Sequence, residues 1–212
     1  MAVNLNIQAD IIDIQNDIPQ KEDIFIIDTN VWFWQAYQNA ASSVRSAESY
    51  KLIDYSDYLT QAGINGATLT YSGLTLAELA HIIEKNEYKI YKESYPGITP
   101  KEYRHNYPIE RLKVVTEVEL CWKQVKNFAL PVNLNVNDET TDAALNRFKT
   151  QALDGYDLLI LEAISQAGAG NIKIITDDID YAVVPGIQVF TSRRYIIEEA
   201  ARQSKLQVRA ST

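Results

Sequence analysis

The chain has 212 residues, 46% hydrophobic and 23% charged, enough for one ordinary domain, or one domain with a large insertion. Its formal net charge of −8 excludes a general nucleic-acid coat protein, which would be basic, but not an enzyme that gathers acids around metal ions. One cysteine, Cys121, and two histidines, His81 and His105, exclude an intramolecular disulfide, a CxxC metal site and a His-rich zinc site.

A reducing cytoplasm is the expected location. The first residues lack the basic start and long apolar stretch of a signal peptide, and no run approaches membrane-spanning length, so no membrane partner is expected. Residues 1–23 carry Asp10, Asp13, Asp17, Glu22 and Asp23, punctuated by Ile7, Ile11, Ile12, Ile14 and Ile18. They read as an N-terminal extension packed on the domain, as a short helix or an edge segment, with a solvated acidic face.

Ile24-Phe25-Ile26-Ile27 then runs straight into Asp28-Thr29-Asn30. A short apolar run without alternation suits a strand buried on both faces of a parallel sheet, where ligands gather at the strands' carboxyl ends. Asp28 stands at such an end, and capping of the following helix is the competing role. Trp32 to Ala41 and Val44 to Ala62 read as two helices, the second ending at Gly63 and Gly66. The aromatic cluster Trp32, Phe33, Trp34 and Tyr37 is read as packing rather than a base-stacking platform.

Ala67 to Ser72 is a short strand, followed by a helix from Leu74 with Leu76, Leu79, Ala80 and Ile83 on one apolar face. Glu78 lies beside that face, where a carboxylate needs a cation or hydrogen-bond donors. Between about 85 and 128 lysines and arginines alternate with Tyr88, Tyr91, Tyr95, Tyr103 and Tyr107, diluted by glutamates. This reads as a helical insertion with a solvated face, ahead of a nucleic-acid grip. Its last part, Pro108 to Phe128, is one long helix with Leu112, Val115, Val118 and Trp122 buried.

Leu130 to Val136 reads as a strand, and Asn137 caps a helix through Phe148. Asp154 reads as the N-cap of the apolar helix that follows, with Asp157 in its first turn and its end at Gly168 and Gly170. Ile172 to Thr176 is another strand, and it too meets acids: Asp177, Asp178 and Asp180. Three carboxylates in four residues repel unless a cation or donors intervene. A last strand, Ile187 to Phe190, leads to a helix capped by Ser192 and holding Ile196, Ile197 and Ala200.

Two strand ends and two helix starts therefore present Asp28, Asp177 to Asp180, Glu78 and Asp157 to one edge of a parallel sheet. Hard oxygen ligands without His or Cys select Mg²⁺ or Mn²⁺, which suit phosphodiester hydrolysis. The absence of a GxxxxGK[ST] loop removes that type of NTPase. An aspartyl-phosphate phosphatase of the haloacid-dehalogenase type would place an Asp two residues after Asp28, where Asn30 stands.

In order and context these segments resemble the PIN domain family. Asp28-Thr29-Asn30 is similar to its first motif, Leu76-Ala77-Glu78-Leu79 to its second, Asp157 to Ala163 to its third and Ile175 to Tyr181 to its fourth. The resemblance spans roughly Ile24 to Ile197. It implies an α/β/α sandwich on a central, mainly parallel sheet, with residues 24–212 as a single domain. It also implies a divalent-metal-dependent endoribonuclease acting on RNA. Asp28, Glu78, Asp157 and Asp178 would form the catalytic and metal-binding quartet, with Asp180, Thr29, Asn30 and Thr176 as accessories. Thr176's register favours Asp178 over Asp177. VapC-type toxins, cytoplasmic, often dimeric and restrained by an antitoxin, are the nearest functional model, although the 85–128 stretch and the N-terminal extension exceed compact toxins in length. The rivals are a non-catalytic PIN-like module binding RNA or protein, and a DNA-directed nuclease or phosphatase using the same acids.

Overall fold

The computed structural model describes residues 4–166 and 172–209; the expected helix end at Gly168 and Gly170 lies outside the described residues. Among them, seven strands form one sheet in which every paired neighbour is parallel. In chain order these are β1 (Asp10–Asp13), β2 (Ile24–Ile27), β3 (Thr68–Ser72), β4 (Leu130–Val132), β5 (Ile172–Ile175), β6 (Ile187–Thr191) and β7 (Leu206–Gln207). Their spatial order is β4-β3-β2-β5-β6-β1-β7. From β2 the chain builds outward through β3 and β4, and from β5 outward through β6, so the two central strands flank the topological switch point.

Alternate strand residues feed two separate cores. Phe25, Ile27, Ile175 and Phe190 face α1 (Thr29–Ala36), α3 (Tyr50–Ile64), α4 (Leu74–Ser94) and α6 (Pro108–Phe128). Ile11, Ile26, Ile174 and Val189 face α7 (Asp138–Phe148), α8 (Gly155–Gln166) and α9 (Arg194–Arg202). Burial on both faces explains why β2 and β5 read as unbroken apolar runs. The result is a three-layer α/β/α sandwich on a parallel sheet, as expected. Among the described residues no helix is long and apolar enough to cross a membrane.

Several local expectations are corrected. The N-terminal stretch holds neither a helix nor an edge segment at its isoleucines: β1 lies inside the sheet between β6 and β7, with Ile11, Ile12 and Ile14 buried. The first expected helix starts at Thr29, ends at Ala36 and resumes only as α2 (Ala40–Ser43). There Ser42 and Ser43 hydroxyls donate to the carbonyls of Asn39 and Ala40, at 2.6 Å each, competing with helix continuation. A 3₁₀ turn at Ser46–Glu48 precedes α3, and Gly66, at φ +80°, accommodates the left-handed turn beyond its end.

On α4 the buried positions are Thr75, Leu79, Ile83 and Asn86, while Leu76 is exposed. On α6 they are Val114, Cys121 and Val125; Leu112 is 65% exposed, and Val115, Val118 and Trp122 are half-buried. The helix is thus rotated about its axis from the expected face. It seats Cys121 and Val125 in the same core as α1, α3 and α4. The intervening helix, α5 (Pro100–Asn106), starts with a capping box between Thr99 and Glu102. The tyrosines of this region contact one another: Tyr91 stacks on Tyr95 at 4.6 Å and meets Tyr103 and Tyr107 at 5.3 and 5.4 Å. Arg104 pairs with Glu84 and Lys113 with Glu110, as the solvated-face reading expects. Finally, β6 is followed by a further strand, β7. Arg193 rather than Ser192 occupies the N-cap of α9 and makes no side-chain cap.

Candidate carboxylate site at the sheet switch point

The chain leaves β2 at Asp28 and β5 at Thr176, on adjacent parallel strands, so both residues emerge on the same sheet edge. Asp28 holds the N-cap position of α1 in extended conformation, yet its side chain makes no capping hydrogen bond. Its Oδ2 instead accepts from the Thr176 hydroxyl at 2.7 Å. That hydroxyl accepts the Asp178 backbone N–H at 2.8 Å, which orients its single proton toward Asp28. Thr176 is fully buried and links the first and fourth acidic segments.

Glu78 arrives on the second turn of α4, where the Thr29 hydroxyl donates to its Oε2 at 2.5 Å. Asp157 sits in the first turn of α8, buried, and accepts from the Tyr181 hydroxyl at 2.5 Å. Asp154 caps that helix as expected: its Oδ1 accepts the backbone N–H groups of Tyr156 and Asp157 at 3.0 and 3.1 Å. Asp178 is partly buried, and its Oδ1 accepts the Asp180 N–H at 3.0 Å. Asn30, half-buried on α1, lines a neighbouring cavity beside the quartet.

The electrostatics bind these groups into one site. Burial, then repulsion from Asp178 and Glu78, pushes the Asp28 carboxyl up to about 7, against the lowering effect of the Thr176 hydrogen bond. Burial and the charges of Asp28, Asp154 and Asp178 push Asp157 up to about 8, although Tyr181 favours its ionised form. Glu78 is raised by burial and by Asp154, and Asp180 by burial, Asp178 and Asp154. All four members of the expected quartet therefore lie in one mutually repelling group, with Asp180 at its margin.

Asp177 is turned elsewhere. It is buried and meets Lys51 at 3.3 Å and Arg193 at 3.9 Å, with the hydroxyls of Tyr50 and Tyr55 donating to its Oδ1 at 2.9 and 3.0 Å. Adjacent carboxylates thus have separate surroundings, Asp178 near Asp28 and Asp157, and Asp177 toward α3. Tyr55 and Lys51 are participants that no local motif marks, because both reach the site from α3; Tyr181 ends the fourth segment, but nothing local marks its bond to Asp157. Among the described residues no group of three or more His, Cys, Asp or Glu side chains is disposed to hold a metal ion by itself.

Fold and site together define a parallel α/β/α protein with a cluster of carboxylates at its switch point. No protein-family model matches the chain, and no curated protein sequence does either. Among solved structures it is similar to VapBC2 from Rickettsia felis, a crystal structure bound to a DNA fragment from their promoter. The identity is 14%, over 79% of this chain and 98% of that one, with a TM-score of 0.41. It is also similar to PAE2754 from Pyrobaculum aerophilum, at 15% identity over 86% of this chain and 99% of that one, with a TM-score of 0.42. What the site can do follows from its own residues.

Proposed function

We propose that this protein is a divalent-metal-dependent endoribonuclease of the PIN type, hydrolysing phosphodiester bonds at the cleft of Asp28, Glu78, Asp157 and Asp178. The observation that carries the reading is the convergence of four carboxylates, from four distant segments, with raised proton affinities at Asp28, Asp157 and Glu78 and, among the described residues, no cation paired to them. Buried like charges at this density call for a positive ion. The donors are hard oxygens only, which suits Mg²⁺ or Mn²⁺; Mg²⁺ keeps several waters and needs one or two protein carboxylates, not a closed cage.

Asp28 and Asp157 would hold the ion, and Glu78 and Asp178 would complete the site by orienting water or substrate. The bound ion supplies polarisation of a phosphoryl oxygen and acidification of a water. The chain's own groups do the positioning. Thr176 fixes the Asp28 carboxylate, Thr29 fixes Glu78 and Tyr181 fixes Asp157, each through a hydroxyl that has already spent its proton on its acid. Asp180 tightens the Asp178 turn through its backbone N–H.

An antitoxin partner, a homodimer and a cytoplasmic setting belong to the same proposal, through the likeness to VapC-type toxins. The test is cleavage of a mixed-sequence RNA with Mn²⁺, with EDTA, and by Asp157→Asn. Metal-dependent cleavage lost in the variant supports the reading. An intact fold with no metal-induced stabilisation and no cleavage overturns it in favour of a binding module.

A further inference from the structure

A cavity of about 300 Å³ opens beside the carboxylate site, between α1 and α4. Its walls continue the faces that carry the site. On α1, Asn30 leads one turn on to Trp34; on α4, the stripe from Glu78 continues through Ile82 to Lys85 and Lys89. At 1.5 Å per residue, Lys85 and Lys89 lie about 10 and 16 Å along the helix from Glu78. One end of the groove is therefore acidic and the other cationic.

The two lysines are exposed and four residues apart, and among the described residues neither has a hydrogen-bond or ion-pair partner. Like charges at this spacing disfavour each other on a helix, so an external anion is the natural complement. The carboxylate on the same wall, Glu48, is already engaged, with Arg45 at 3.1 Å and Lys51 at 3.5 Å. Trp32 and Tyr37 are core residues, whereas buried Phe33 and half-buried Trp34 both border the cavity, the Trp34 ring lying beneath Lys51 at 5.2 Å and 5.6 Å from the Tyr55 ring. An apolar ring beside two free cations matches the two halves of a nucleotide, base and phosphate.

We infer that this cavity is a substrate subsite, which binds an unpaired nucleotide flanking the scissile bond: Lys85 and Lys89 take backbone phosphates, and Trp34 receives the base. The inference rests on the nuclease reading, whose acids would hold the adjacent scissile phosphate. It also accounts for how a chain of net charge −8 engages a polyanion, through a local cationic wall rather than a basic surface.

The test is fluorescence anisotropy of a labelled single-stranded oligouridylate, over a range of salt, with the full chain carrying Asp28→Asn so that the RNA stays whole. Lys85→Ala/Lys89→Ala in that background should weaken binding. It should also flatten the slope of log affinity against log salt by about 1.4, at roughly 0.7 per phosphate contact on single strands. Trp34→Phe, which keeps an aromatic ring against Tyr55, should abolish the RNA-induced change in tryptophan fluorescence. An unchanged salt slope in the double lysine variant overturns the subsite while leaving the nuclease reading in place. A flattened slope in a protein whose wild type never cleaves RNA overturns the nuclease reading and the placement beside a scissile bond, leaving the two lysines as phosphate contacts of an RNA-binding groove. No RNA binding by either protein overturns both.

Discussion

Replacing Asp28 with asparagine should stabilise the metal-free protein at neutral and alkaline pH. Asparagine keeps the shape and can still accept the Thr176 hydroxyl, but carries no charge into the buried cleft. The wild-type carboxyl is held at about 7 against an ordinary 3.8. At about 1.36 kcal/mol per decade, ionising it in the folded state costs about 4 kcal/mol. Part of that is repulsion shared with Asp178 and Glu78, so the expected gain is roughly 2–4 kcal/mol. The sign follows from linkage: the folded-state value is raised, so the stabilising protonated form is complete below the ordinary carboxylate range and is lost as pH rises through about 7. For a chain of this size each kcal/mol moves the midpoint by about 2–4 °C, giving a rise of roughly 5–15 °C for Asp28→Asn near pH 8 and little change near pH 4. Thermal melts in EDTA at both pH values measure it. With Mn²⁺ at about 100 times its Kd the wild type should recover about 2.7 kcal/mol, and the variant should not. A variant that melts lower than wild type near pH 8, and equally whatever the metal, would refute the reasoning and restore Asp28 to a capping or structural role.

Two further perturbations probe the supports. Tyr181→Phe removes the donor to Asp157, so that carboxyl should rise beyond about 8 and metal affinity fall about 10- to 100-fold, with the acid limb of the pH–rate profile displaced to higher pH; titration of Mn²⁺ by calorimetry across pH checks it, and an unchanged affinity refutes it. Lys51→Met strips the nearest cation from buried Asp177 while Arg193 and two tyrosines remain, so the loss should be about 3 kcal/mol, near the low end for a broken buried pair; a urea titration at neutral pH reads it, and an unchanged midpoint would mean that Asp177 is protonated there.

The site was more legible in the sequence than the helix faces around it. Asp28 and the acids after Ile175 could be placed because continuous apolar strands end abruptly, and a parallel sheet sends every strand end to one edge. Asp177 and Asp178 differ only in parity: successive side chains in extended backbone point opposite ways, and in the structure Asp178 lies near Asp28 and Asp157 while Asp177 meets Lys51. The faces of α4 and α6 were misjudged for a common reason. Thr75 and Asn86 are polar residues at buried positions, while Leu76, Ile109, Leu112 and Leu120 are apolar residues at exposed ones. Both helices carry more than one plausible stripe, and only the layer they pack on selects among them. The Tyr181 and Tyr55 hydrogen bonds were illegible altogether, since each joins residues far apart in sequence that only the closed sheet brings together.

The N-terminal segment gives the sharpest consequence of the sheet order. Read as an extension packed on the domain, residues 1–23 would be peripheral; the strand they contain, β1 at Asp10–Asp13, lies inside the sheet. Ile11, Ile12 and Ile14 are at most 5% exposed, and β1 alone joins β7 to β6. Burial of an isoleucine contributes about 1.5–3 kcal/mol, so the three contribute roughly 5–9 kcal/mol, before the ladder bonds on both sides are counted. That is comparable with the whole stability of a typical domain, about 5–15 kcal/mol. Deleting residues 1–15 should therefore abolish the cooperative melt and expose β6 to proteolysis, even though the deletion removes none of the cleft's carboxylates. Loss would also reach the site indirectly, because β6 supplies Thr191, which hydrogen-bonds the same Tyr55 hydroxyl that holds Asp177. A truncated chain that melts cooperatively near the wild-type midpoint would show that β6 tolerates an open edge and that β1 is dispensable after all.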